Sequence, residues 1–163
     1  MDEFGEFYRT RKDAVFRAVL VAVGNRVAAE EAAAEAFARA YARWRSVGDH
    51  PNPTAWVLRT ALNTHRSWLR RLRREVLGGS PPERPSASSA GGGLPSELRA
   101  LVEHLPRRQR EVVAMRVLAD LSAEETGALL GIAPATVHVH LHRALGTLRE
   151  QVAGAPTDPR EAR

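Results

Sequence analysis

One stretch of the chain concentrates arginine in a way that favours nucleic acid as a ligand. Residues 59–74 hold six arginines and no acidic residue, and Trp56 and Trp68 lie on the same predicted helix. Arginine binds phosphate through a bidentate fork, and tryptophan offers a flat face to an unpaired base. The alternative is a solvated basic face above two partly buried tryptophans. Because the formal net charge is +5 and a second DNA-binding pattern follows, contact with nucleic acid is favoured.

The second pattern, in residues 121–150, is typical of a helix-turn-helix. Ser122 with Glu125 three residues later matches a capping box at a helix start. Gly131 marks the end of that helix, because glycine tolerates a left-handed turn. Pro134 suits the first turn of the next helix, where its missing N–H is not needed. The pattern predicts a second helix that reads duplex DNA.

The predicted second helix has one apolar face and a histidine-rich remainder. Its apolar residues recur at helical spacing: Val137, Leu141, Ala144, Leu148 and Val152. His138 and His142 share another face, where a metal pair is geometrically conceivable, but no nearby carboxylate completes a ligand set. Contact with bases or phosphates is therefore favoured for these histidines and for Arg143. Gly127, inside the first helix, is expected where the two helices cross closely.

Chemistry beyond binding has no support in the sequence. The chain lacks cysteine, a P-loop, a Gly-x-Ser-x-Gly motif and a metalloprotease His-Glu pattern. We therefore expect neither an enzyme nor a cofactor or metal site. No apolar run approaches the ~18 residues of a membrane span, and no signal peptide precedes the first helix, so a cytoplasmic protein is expected.

Three helices are predicted in the N-terminal lobe, residues 1–77. The first carries an apolar stripe that stops at Gly24, a plausible C-cap. The second spans about residues 28–46, with acidic residues at its start and Arg39 and Arg43 towards its end, which suits the helix dipole. The third follows the proline-containing loop SVGDHPNP and runs to about residue 76. Its apolar stripe consists of Leu58, Ala61, Leu62, His65, Leu69 and Leu72.

A linker separates this lobe from a second helical one. Residues 78–93, GGSPPERPSASSAGGG, contain no large apolar side chain, so a flexible linker is expected. The C-terminal lobe, residues 94–153, has a first helix, a second that Pro106 begins, and then the helix-turn-helix. A disordered tail is expected at residues 154–163. The predicted fold class is all-α, with two small helical domains.

These patterns together resemble an extracytoplasmic-function sigma factor of the bacterial sigma-70 family. The resemblance runs from Phe4 to about Val152. Three segments carry it: AAEEAAAEAFARAYARW, NPTAWVLRTALNTHRSWLRR and LPRRQREVVAMRVLADLSAEETGALLGIAPATVHVHLHRALGTLRE. In similar proteins they bind RNA polymerase, melt and read the −10 promoter element, and read the −35 element. Their order, with a flexible linker between the lobes, is highly specific to the family.

The resemblance implies a role for residues that match the family's motifs. The core polymerase-binding residues would be Glu31, Glu35, Phe37 and Arg39. The −10 DNA-binding residues would be Asp49, Asn52, Trp56, Asn63, Arg66, Arg70 and Arg71. Loop residues 47–54 would form a pocket for a flipped base. The −35 DNA-binding residues would be Thr136, His138, Val139, His142 and Arg143.

The resemblance also implies partners. These are core RNA polymerase, through its largest and second-largest subunits, and promoter DNA, with an anti-sigma factor as a candidate third. The free protein is expected to be a monomer without a membrane anchor. The rival hypothesis is a dimeric helix-turn-helix regulator that acts without polymerase, but no dimer stripe remains once the core faces are assigned. A further alternative is an adaptor whose helices bind only protein.

Overall fold

All regular structure in the described part of the chain is helical. The computed structural model describes residues 2–77 and 94–154. The helices are α1 (Glu3–Val23), α2 (Arg26–Ala42), α3 (Trp44–Val47), α4 (Pro53–Val76), α5 (Ser96–Glu103), α6 (Arg107–Val113), α7 (Ala123–Leu130) and α8 (Pro134–Gly154), with a π-helical turn at Ala114–Leu118. The all-α prediction is confirmed. The predicted linker and, apart from Gly154, the predicted tail lie outside the described residues.

Capping residues define the helix starts in the N-terminal lobe. The Asn25 side chain accepts a hydrogen bond from the Ala28 N–H at 2.9 Å and so begins α2. Gly24 ends α1 with φ +78°, in the left-handed region, as predicted from its position after the apolar stripe. Asn52 caps α4 in the same way, accepting from the Ala55 N–H at 3.1 Å. Local sequence signals therefore fix where α2 and α4 begin.

The single helix predicted over residues 28–46 is wrong, because the chain breaks at Arg43. The Arg43 backbone leaves helical geometry, with φ −119° and ψ 22°, and its N–H is shared between the carbonyls of Arg39 and Ala40. The short helix α3 follows directly. Its Trp44 ring lies 5.3 Å from Phe4 and 5.0 Å from the ring of Phe7 in α1. Aromatic packing against α1 thus accompanies the break, and no local signal for it exists in the sequence.

Helix α4 has a buried first half and an exposed second half. Leu58, Ala61 and Leu62 pack against α1 and α2 and are buried, as predicted. Leu69 and Leu72 were expected in the same apolar face but are 40% and 45% exposed. They line an open groove instead, because α4 has by then reached the junction of α1 and α2.

The C-terminal lobe places α8 across α6 and α7. Val137 and Ala144 are buried, and Leu141 and Leu148 pack against the same core, which confirms most of the predicted apolar face. The prediction that Val152 belongs to the buried face is wrong. Its side chain is 62% exposed, close to the end of α8 at Gly154.

The two lobes share one continuous core. Helix α1 contacts α5, α6 and the π turn of the C-terminal lobe, and α4 contacts α7. The consecutive residues 18–22, of sequence AVLVA, are all buried, because α1 packs against helices of both lobes. A helix that is apolar around its circumference requires burial on several sides. This apolar run is the feature of the sequence that could have indicated docking of the two lobes. The sequence analysis did not predict that docking.

Candidate nucleic-acid interface

The helix-turn-helix is built by the local signals that the sequence contains. The Ser122 hydroxyl accepts from the Glu125 N–H at 3.0 Å, and the Glu125 carboxylate accepts from the Ser122 N–H at 2.8 Å, completing the capping box. Gly131 ends α7 with φ +71°, and Pro134 begins α8. These predictions are confirmed.

Gly127 is needed for a close approach, but the neighbouring group differs from the one expected. A Cβ atom at this position would lie 2.6 Å from the carbonyl oxygen of Ile132 and 3.5 Å from the Pro134 nitrogen. The close neighbour is therefore the backbone of the turn and not the body of the second helix. The contact sets the path by which the chain enters α8, so Gly127 positions α8.

The outward face of α8 presents most of the predicted −35 residues. His138, His142 and Arg143 are exposed, and Val139 is 45% exposed. Thr136 is half-buried and lies at the edge of this face. His140 is partly buried, and its Nδ1 has no hydrogen-bond partner among the described residues. The arrangement exposes two imidazoles and a guanidinium, groups that can bind base edges or phosphates.

A second polar face runs along α4. Trp56, Asn63, Arg66 and Arg70 follow at intervals of three, four or seven residues, so they share one side of the helix. Asn52 continues the line at its N-terminal end. Two further residues extend the face: Arg59, which lies three residues after Trp56 and which we had not assigned, and Arg71, which lies at its edge. Asp49 is exposed in the preceding loop.

The side chains at the start of α4 are already engaged by the C-terminal lobe. The Asn52 Nδ2 donates to the Glu125 carboxylate at 2.8 Å. The Ser122 backbone N–H and the Asn52 side chain lower the pKa of Glu125 from its ordinary value, since both donate to the charged form. Trp56 and Arg59 line a cleft of about 190 Å³ between this region and α7.

An ion cluster joins the middle of α4 to α6. The Glu111 carboxylate is 3% exposed and lies 3.1 Å from Arg107 Nε and 3.0 Å from Arg108 Nη1. Arg66 Nη2 of α4 approaches it at 3.6 Å. Burial, together with the charges of Arg107 and Arg66, lowers the pKa of the neighbouring His65. Arg66 is therefore not free on the surface, unlike Arg70 and Arg71.

The predicted polymerase-binding residues divide into an exposed set and a buried one. Glu31 and Arg39 are exposed on α2, and Glu35 forms an ion pair with Arg39 at 2.7 Å. Phe37 is 6% exposed, and its ring packs at a tilt against Phe7 and edge-to-face against Tyr8 of α1. In this structure the buried ring packs between α2 and α1, and a contact of Phe37 with the polymerase stays a prediction.

Fold and site together define a class of protein: a two-lobed helical DNA-binding protein that combines a helix-turn-helix with a separate arginine-rich surface. Residues 7–75 match the family Sigma-70 region 2, and residues 96–148 match Sigma-70, region 4. The RNA polymerase sigma-E factor of Streptomyces coelicolor is 35% identical, over 97% of this chain and 90% of its own. The chain belongs to the extracytoplasmic-function group of the sigma-70 family of RNA polymerase sigma factors.

Two further relatives agree with this assignment. The extracytoplasmic-function sigma factor SigD of Mycobacterium tuberculosis is 39% identical over 45% of this chain and 38% of its own. A solved structure of the sigma factor RpoE from Bartonella quintana, in complex with the anti-sigma factor NepR, matches with a TM-score of 0.75. It covers 96% of this chain and 100% of the other at 19% identity, and so supports the fold. In the described residues, no helix is long and apolar enough to cross a membrane.

Proposed function

We propose that this chain binds core RNA polymerase and directs it to promoters by contacting DNA at two places. Helix α8 reads the duplex −35 element, and the polar face of α4 with its preceding loop holds the melted −10 strand. The observation that carries the proposal is the continuous line of Asn52, Trp56, Asn63, Arg66 and Arg70 on one side of α4. An aromatic ring that can stack on a base, followed by guanidinium groups that can bind phosphates, suits an unpaired strand.

The −10 site lies in the N-terminal domain, residues 1–77. Trp56 stacks on an unpaired base, and Asn52 and Asp49 contact base edges from the loop. Flipping a base costs a few kcal/mol, and stacking of that base on an aromatic ring stabilises the complex by about 1–3 kcal/mol. The remaining contacts, to the backbone of the same strand, come from Asn63, Arg66, Arg70 and Arg71.

The −35 site lies in the C-terminal domain, residues 94–153. His138, Val139 and His142 face the bases of the major groove, and Arg143 contacts phosphate or a guanine edge. Thr136, which is half-buried, contacts the backbone at the edge of the groove. The capping box and Gly127 hold α8 at the angle that this contact needs.

The polymerase-binding surface lies on the exposed side of α2. Glu31, Glu35 and Arg39 contact the polymerase, mainly its largest subunit, while Phe37 keeps α2 in place against α1. The second-largest subunit is the other polymerase partner. We propose no catalytic group, cofactor or metal, a cytoplasmic location and a monomeric free state. The Bartonella quintana RpoE is described in complex with an anti-sigma factor, so such a factor is a candidate partner.

Run-off transcription tests this function. Core polymerase with the purified protein should initiate on a cognate promoter, and core polymerase alone should not. Arg70→Glu should reduce the product about tenfold or more, because a charge-assisted contact worth about 1.5–3 kcal/mol is replaced by repulsion. The matched charge reversal Arg11→Glu, at an exposed position of α1, should have little effect. If the protein gives no product and instead protects a symmetric site as a dimer, the proposal is wrong.

The two DNA contacts can be separated by their substrates. Arg143→Ala should weaken binding to duplex −35 DNA and reduce the salt dependence of that binding by about one unit of slope. It should leave binding to single-stranded −10 DNA unchanged. If both substrates lose affinity equally, α8 does not act as an independent duplex reader.

A further inference from the structure

The outward face of α8 carries two histidines that no other side chain engages. His138 and His142 are exposed and lie four residues apart, so the two rings are neighbours on one side of the helix. In the described residues, neither imidazole forms a hydrogen bond or an ion pair. His140 does not share this side, since residues two apart on a helix do not face each other. Both rings of the pair are therefore available to a ligand.

Helix α8 itself offers no negative charge to a protonated imidazole. Residues 134–149 contain no aspartate, glutamate, asparagine or glutamine, so the helix has no carboxylate or amide oxygen before Glu150. The other charged side chains of this stretch are Arg143 and Arg149, and Arg143 is exposed directly after His142. In the free helix, the pair therefore has cationic neighbours and no carboxylate that would hold a proton on either ring.

The elements that pack against α8 supply no partner either. These are α5, α6 and α7. Their acidic side chains are Glu97, Glu103, Glu111, Glu124 and Glu125. Their basic side chains, with the C-cap of α5 included, are Arg99, His104, Arg107, Arg108 and Arg110. Within the described part of the chain, none of them forms a hydrogen bond or an ion pair with His138 or His142. The negative charge that meets a protonated pair must therefore come from a ligand.

Duplex DNA is such a ligand under the proposed function, in which α8 reads the −35 element, and the inference rests on that function. A neutral imidazole has one donor and one acceptor nitrogen, whereas a protonated imidazole has two donors and a positive charge. DNA offers charged phosphates and, in the major groove, acceptor atoms on base edges. Imidazole is the side chain that changes its charge between pH 5 and 8. Contact with DNA therefore favours the protonated form of a ring near neutral pH.

We propose that the −35 contact of this chain is linked to proton uptake by His138 and His142. As the complex forms, each ring takes one proton from the solvent and donates to an acceptor atom of the DNA. The affinity for duplex DNA therefore rises as the pH falls from 8 to 6, because the bound state holds more protons than the free state. A helix with lysine or arginine at these two positions would keep its charge throughout this range.

Two double variants of the full-length protein test the linkage. His138→Gln with His142→Gln, the glutamine pair, keeps polar groups that never gain a charge. His138→Lys with His142→Lys, the lysine pair, is charged at every pH used. His104→Gln is the matched control, because it removes an exposed histidine of the same lobe, at the end of α5. The probe is a fluorescein-labelled duplex, enriched from a random-sequence pool by binding to wild type at pH 7. Fluorescence anisotropy measures binding at pH 6, 7 and 8, and circular dichroism establishes that each protein is folded.

We expect wild type to bind the duplex about 25-fold more tightly at pH 6 than at pH 8. Each ring contributes about fivefold, because a hydrogen bond to a charged group exceeds a neutral one by about 1 kcal/mol. His104→Gln should follow wild type. The glutamine pair should bind as wild type does at pH 8 and change little with pH, and the lysine pair should bind at pH 8 about as wild type does at pH 6. A wild-type affinity that is independent of pH, a pH dependence that persists in the glutamine pair, or a lysine pair without a gain at pH 8 would each overturn the proposal.

Calorimetry counts the protons directly. The enthalpy of duplex binding at pH 7, measured in buffers of different ionisation enthalpy, gives the number of protons taken up per complex. We expect about one to two protons for wild type and about none for the glutamine pair. The slope of log affinity against log salt should also steepen by about 0.9 for each ring that gains a charge. Equal proton uptake by wild type and the glutamine pair would place the titrating groups elsewhere and overturn the proposal.

Run-off transcription separates this inference from the proposed function. If the protein supports run-off transcription while the glutamine pair keeps the wild-type pH dependence of duplex binding, the proton linkage fails and the sigma function stands. If the protein gives no run-off product while the pH dependence of duplex binding still requires the two histidines, only the proposed sigma function fails.

Discussion

The substitution Gly127→Ala tests how the helix-turn-helix is held together. In a helix interior, alanine is normally about 1 kcal/mol more favourable than glycine. Here the added Cβ would lie 2.6 Å from the Ile132 carbonyl oxygen, whereas carbon–oxygen contacts usually lie at about 3.3–3.6 Å. The turn would have to move by about 0.7 Å or more.

The turn cannot move freely, which sets the expected cost. The Ile132 N–H donates to the Gly127 carbonyl at 3.0 Å, and Gly131 is fixed in the left-handed region. The obstructing atom is backbone, so no side-chain rotation relieves the contact. Overpacking costs about 1–3 kcal/mol, and the upper part of that range applies. After the gain in helix propensity, we expect Gly127→Ala to lower the free energy of unfolding by about 1–2 kcal/mol.

Gly146→Ala in α8 is the matched control, since nothing lies within 4 Å of a Cβ built there. It should raise the free energy of unfolding by about 1 kcal/mol. Urea denaturation followed by circular dichroism measures both variants. In thermal melts each kcal/mol corresponds to about 2–4 °C for a chain of this size. If Gly127→Ala proves as stable as Gly146→Ala, the close contact does not determine the turn, and the reasoning is refuted.

Three further predictions use the same denaturation assay. Ser122→Ala removes the hydroxyl of the capping box and should lower the free energy of unfolding by about 1 kcal/mol. A decrease below a few tenths of a kcal/mol would mean that the box contributes little. Gly24→Ala should lower the free energy of unfolding by about 1–2 kcal/mol, because alanine is strained at φ +78°. No atom lies within 4 Å of the new Cβ, so backbone strain is the only cause. An unchanged free energy of unfolding would show that the turn relaxes. Because the pKa of His65 is lowered in the folded state, the unfolded state binds a proton more readily than the folded state does. The contribution of neutral His65 to stability is therefore present above about pH 6.5 and is lost as the pH falls below that value. His65→Gln should therefore reduce the fall in stability between pH 7 and pH 5, and an unchanged fall would contradict this.

The best sequence predictions were those for which the signal and its consequence lie within one helical turn. The capping box at Ser122, the left-handed Gly131 and the start of α8 at Pro134 all appear as expected. Each involves hydrogen bonds or dihedral angles of residues at most four apart. The same locality explains the confirmed end of α1 at Gly24.

Predictions that depended on distant neighbours were less successful. The break at Arg43 accompanies the packing of Trp44 against aromatic residues of α1, about forty positions earlier. The stripe on α4 continues in sequence through Leu72, but burial stops sooner because the helices beside it end. Periodicity shows that a face is apolar and does not show how far a partner covers it.

The sequence by itself determined most of the helices, the caps at Gly24, Ser122 and Gly131, the helix-turn-helix, the arginine-rich face of α4 and the family to which these patterns belong. Only the tertiary structure decided that Phe37 is buried, and that Glu111 and Glu125 reach Arg66 and Asn52 across the lobes. Capping and periodicity are local properties of the chain. The docking of two lobes depends on the burial of the run at residues 18–22 from two sides, which the fold alone arranges.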